Sequence, residues 1–190
     1  MKKFLYLMMA MAVMSAGFVS CGDDDDDDNG GSVATSSGKG KGSITLDSKS
    51  YSTPYGYFSG EYDAEYQSIA VFISNLDINS QPSRDAKWNY ASIGIYELKS
   101  TTLESGEYPA YAYVAIEQPV YGEQNPAKSV GAEGTVIVAK SGDTYTLDFE
   151  ATKLFDADDD NYNEQKESQF KKLTIHYKGK PGYWLDEYDE

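Results

Sequence analysis

The chain is poor in the residues that most often carry chemistry. It has one cysteine, one histidine and 16 basic side chains against 31 acidic ones. With Cys21 alone no intramolecular disulfide can form, and an exported chain with one unpaired thiol needs a use for that sulfur. With His176 alone, a histidine-bearing zinc site would have one imidazole and no free thiol, which is poor ligation. A serine–histidine–acid triad would have to use His176, and no G-x-S-x-G elbow is present. The excess of acids over Lys and Arg argues against nucleic acid, whose phosphates need clustered cations. Long hydrophobic runs are missing as well. The stretch Phe4 to Met14 is shorter than the roughly 20 apolar residues that span a bilayer, so no permanent transmembrane helix is expected. Carboxylates are abundant, and a glycosidase-like pair of them is the one enzymatic alternative left open. The expectation is a non-enzymatic protein.

What is present begins with an address. Lys2 and Lys3, the apolar Phe4 to Met14 and the mostly small Ser15 to Ser20 have the three regions of an export signal. Phe18-Val19-Ser20-Cys21 resembles a bacterial lipobox, with phenylalanine where leucine is usual. The resemblance implies cleavage before Cys21 and acylation of its sulfur. Asp23 to Asp28 follow directly. This start resembles that of surface-exposed lipoproteins of Bacteroidota-type bacteria, in which acids just after the lipidated cysteine direct the chain to the outer face. That role falls here to Asp23, Asp24, Asp25 and Asp26. The resemblance implies a bacterial outer membrane, a surface-exposed chain and a membrane contact made by acyl chains on Cys21.

Residues 1–20 contain two lysines and no acid, so their removal takes the formal charge from -15 to -17, and discounting the six linker aspartates leaves -11. That balance argues against electrostatic attraction to anionic lipid, so anchoring is assigned to the acyl chains.

The expected organisation is a signal peptide over 1–20, a lipidated acidic and glycine-rich tether over 21–42 and one β domain over 43–190. The tether has almost nothing to bury and reads as disordered, with a typical span of about 25 Å. In the domain, alternation dominates. Tyr145, Leu147, Phe149 and Ala151 share one face of a strand, with Thr144, Thr146, Asp148 and Glu150 on the other. Ser141-Gly142-Asp143 is a hairpin signal after Gly134 to Lys140. Leu173, Ile175 and Tyr177 make a closing strand. Ser68 to Ser74 (SIAVFIS) is apolar on both faces and therefore central. The prediction is an all-β, antiparallel β-sandwich or small β-barrel of about eight strands. Its last strands resemble the β-meander of calycin-like lipoprotein domains, which implies the same fold class and no activity.

Two patterns point to binding. From Asp156 to Glu167, acids stand at positions 1, 3, 5 and 12 of an EF-hand-like spacing. Asp156, Asp158, Asp160, Tyr162 (through its carbonyl), Glu164 and Glu167 are the candidate calcium ligands. The other reading is a solvated acidic loop joining two strands, because the flanks read as strands rather than helices. The chain also has 17 tyrosines. Tyrosine offers a flat apolar face and a hydroxyl, suited to sugars and to protein interfaces, and it is also a strong strand former. Tyr55, Tyr57, Trp88, Tyr111 and Tyr113 are the candidate ligand-binding aromatics. The function expected is extracellular binding of a glycan or a protein. The alternatives are an accessory subunit of a surface complex and a calycin-like carrier of a small apolar ligand.

Overall fold

The computed structural model describes residues 38–80, 82–121, 126–157 and 166–184. Cys21, Asp23 to Asp26, Asp158, Asp160, Tyr162 and Glu164 lie outside the described residues. Ten strands follow one another: β1 (Gly40–Leu46), β2 (Lys49–Ser52), β3 (Tyr55–Asp63), β4 (Ser68–Ser74) and β5 (Lys87–Ile95) come first. The second half has β6 (Gly106–Pro119), β7 (Lys128–Ser141), β8 (Thr144–Phe155), β9 (Leu173–Gly179) and β10 (Gly182–Trp184). They form one sheet in the order β10-β3-β4-β5-β6-β7-β8-β9-β1-β2. Every pairing is antiparallel except β10 on β3. The all-β expectation holds. The first strand starts at Gly40, inside the stretch expected to be tether.

Ten strands rather than about eight arise from two prolines. Thr53-Pro54 separates β2 from β3, and Lys180-Pro181 separates β9 from β10. Proline has no N–H for a ladder, so each break splits one continuous run of chain into two strands. The first break also joins the two ends of the sheet. Across it, Thr53 N–H donates to Gly42 O (2.9 Å), Gly40 N–H to Pro54 O (2.6 Å) and Gly56 N–H to Gly38 O (2.9 Å). Where β1 runs out, β10 takes its place beside β3, with Gly182 opposite Tyr57. The sheet thus curls into a barrel with its seam at Thr53-Pro54.

One apolar cluster fills the inside and draws on β1 and β3 to β9. Ile44, Ile73, Ile93, Val114, Val136, Phe149 and Ile175 are at most 2% exposed. Burial of such a side chain is worth about 1.5–3 kcal/mol each. Tyr177, also fully buried, satisfies its hydroxyl by donating to Gly38 O at 2.8 Å. The predicted β7–β8 hairpin forms, with Gly142 (φ 58) first of its two loop residues, the position a type II′ turn gives to glycine.

Candidate functional site

The outer surface of the barrel is of two kinds. On β9, β1 and β8 as far as Glu150 it is polar, as the alternation predicts. On β3 to β6 it carries aromatic rings. The register sets Tyr57, Phe72, Ser92, Tyr113, Gly131 and Phe155 in one row across six strands. A second row holds Tyr55, Ser74, Tyr90, Ala115 and Ser129. The rings touch in sequence. Phe72 lies 5.4 Å from Trp184, 5.1 Å from Tyr90 and 6.3 Å from Trp88, measured between ring centroids. Tyr90 lies 6.1 Å from Tyr113, and Tyr111 stacks at 5.4 Å on Phe155. Such pairs add roughly 0.5–1.5 kcal/mol each beyond the area they bury. A side chain in place of Gly131 would collide with the Phe155 ring, so the glycine lets that ring lie across the strand.

A bulge shapes the layer. Between Trp88–Tyr90 on β5 and Ala115–Gln118 on β6 the register shifts, and Glu117 takes a left-handed backbone (φ 57). The extra residue turns Gln118 to the outer face. There its Oε1 accepts from the Tyr90 hydroxyl at 3.0 Å. Asn89 holds the bulge: its Oδ1 accepts from the Glu117 N–H at 2.9 Å, while its own N–H donates to Asn75 Oδ1 at 2.8 Å. Tyr57 donates to Asp77 Oδ1 at 2.6 Å. Burial, then the Asp77 carboxylate, pushes the Tyr57 phenol well above its ordinary range. Burial, then Tyr113, does the same for Tyr90. Both hydroxyls are therefore neutral donors. Trp88 Nε1 is buried and finds no acceptor among the described residues.

All five aromatics singled out in the sequence reach this outer face, but not with the same access. Tyr57 (0%) and Tyr111 (4%) are buried and belong to the packing of the layer. Tyr55, Trp88 and Tyr113 are half-buried and form its accessible part, together with Trp184. The layer also draws on Phe72, Tyr90, Trp184 and Gln118, which lie outside that set of five. The doubly apolar β4 was the available sign for Phe72. Nothing local marks Gln118, whose direction depends on the bulge.

The acidic loop is defined at its base. Phe155 and Glu167 form an antiparallel bridge, and Asp156 N–H donates to Lys166 O at 2.9 Å. Positions 1 and 12 of the EF-hand-like spacing thus sit on strand-like chain, without flanking helices. Glu167 pairs with Lys171 at 3.1 Å on the open surface. His176 Nδ1 lies 2.6 Å from Asp148 Oδ1, also exposed. Among the described residues, no three His, Cys, Asp or Glu side chains gather to hold a metal.

No family model, curated protein or solved structure matches this chain.

Proposed function

We propose that this chain is a lipid-anchored protein of a bacterial outer membrane, exposed at the cell surface, whose barrel binds an extracellular glycan. The anchor rests on the lipobox-like FVSC, Cys21 and the acids that follow it. The binding role rests on one observation: an aromatic layer on the outside of β3 to β6, with Trp88, Tyr113 and Trp184 at its accessible part. Rings in that position offer flat apolar faces to the C–H surfaces of sugars. A ligand carried inside is the weaker reading, because Phe149, Tyr177, Ile93 and Val114 already fill the interior.

The test is a glycan array probed with the protein and with Trp88→Ala and Tyr113→Ala, each checked for native circular dichroism. At least one glycan should bind, and each substitution should weaken it by about tenfold or more, the loss typical of a binding hot spot. No bound glycan, or binding that both variants retain, would refute the reading. Capture of a defined protein that is lost on the same substitutions would favour a subunit of a surface complex instead.

A further inference from the structure

The sequence contains the tripeptide Lys-Gly-Lys twice, as Lys39-Gly40-Lys41 and Lys178-Gly179-Lys180. The sheet brings the two together. Gly40 pairs with Gly179 and Lys41 with Lys178, on the neighbouring antiparallel strands β1 and β9. Ile44 and Leu46 on β1, and Ile175 and Tyr177 on β9, point into the core, so all four lysines point out, and all four are exposed. Lys180 is paired with Asp143 at 2.8 Å. Among the described residues, Lys39, Lys41 and Lys178 have no ion-pair partner, in a chain with 31 acids. The cross-strand neighbours nearest them are neutral: Thr146 beside Lys178 and Tyr55 beside Lys39. Like charges directly opposite one another are destabilising on a sheet, and an anion lying across both removes that penalty.

We infer that this lysine face docks on the anionic phosphate headgroups of the membrane that carries the chain. The inference rests on the proposed anchor at Cys21. Only Gly22 to Gly38, seventeen residues, separate that cysteine from Lys39. Even fully extended they reach about 60 Å, so an anchored Cys21 keeps this end of the barrel near the headgroups. The acids close to this face are Asp143, paired with Lys180, and Asp148, bonded to His176, and charges more than a Debye length away, about 8–10 Å in physiological salt, are largely screened. Each lysine near an anionic surface is worth about a fivefold gain in partition. Ile137, 56% exposed, lies on the same outer face, one row along from that of Lys41 and Lys178. An exposed apolar side chain on such a face suits a headgroup layer better than water.

The full-length protein, purified from bacterial membranes, is added to vesicles of phosphatidylcholine with or without phosphatidylglycerol. Acetylation rates are then read at each lysine by mass spectrometry. Lys39, Lys41 and Lys178 should react several-fold more slowly on phosphatidylglycerol vesicles at low salt, and high salt should restore the rate. Lys172, before the opposite end of β9, should not change. Charge reversal by Lys41→Glu with Lys178→Glu should abolish protection at Lys39. Equal rates on both vesicles would overturn docking and leave the anchor standing. Protection of the same lysines by a soluble sulfated polysaccharide, with none from vesicles, would overturn it as well. Failure of the anchor shows separately, as failure to float with phosphatidylcholine vesicles. Salt-sensitive flotation on phosphatidylglycerol vesicles alone would then still support the lysine face.

Discussion

The wall made by β8, β9 and β1 and the wall made by β3 to β6 belong to one sheet, yet they are built by different rules. On β8, Tyr145, Leu147 and Phe149 face the core, while Thr146, Asp148 and Glu150 face outward. On β4, every residue from Val71 to Ser74 is buried, on both faces. Both walls contribute to the same interior, so the difference lies outside the barrel. A strict alternation marks a wall whose back is wet. A strand apolar on both faces marks a wall with a second layer, here of aromatic rings.

The largest test of that contrast is Phe72→Ala. Phe72 is 1% exposed although it points away from the barrel interior. Chemical denaturation should show a loss of about 3–5 kcal/mol, the cost of removing a core phenylalanine. A loss below about 1 kcal/mol would mean that the outer layer is not a true second core.

The second test uses pH. Burial pushes the Tyr177 phenol, in the inner core, up to about 12 from an ordinary 10.0. The folded state therefore holds this proton more tightly than the unfolded chain does. Its contribution is complete below pH 10 and is lost as pH rises from about 10 to 12, amounting to about 2–3 kcal/mol. Denaturation midpoints measured across that window should fall for the parent protein. They should fall less for Tyr177→Phe, which has no proton to lose. Equal slopes would place the alkaline sensitivity in the outer layer, at Tyr57 and Tyr90.

The smallest effect is expected at Ile137→Ser, on the outside of β7, where the side chain is 56% exposed. Stability in water should change by no more than about 0.5 kcal/mol. A loss comparable to that of Phe72→Ala would erase the distinction between the walls.

The alternating wall was readable from sequence because period two depends only on which residues face water. β8 and β9 fall where Tyr145 to Ala151 and Leu173 to Tyr177 place them. The doubly apolar β4 was also readable as central. The first half of β7 was not: only Val130 and Ala132 face the core there, and Gly131 and Glu133 on the other face hide the period. β2 reads as polar (KSYS), and its place depends on pairing with β1. At the candidate site, composition selected Trp88 and Tyr113. It could not separate them from Tyr57 and Tyr111, because the burial of those two is set by strands distant in sequence.

The bridge between Phe155 and Glu167 has a consequence for how this domain can change. Together with the Asp156–Lys166 and Ser168–Leu154 backbone bonds, it fixes both ends of the intervening segment at strand spacing. Closing a loop costs only about 0.6 kcal/mol more for each doubling of its length. The segment is therefore an exchangeable cassette, and its length and composition can be rewritten while the barrel keeps its register.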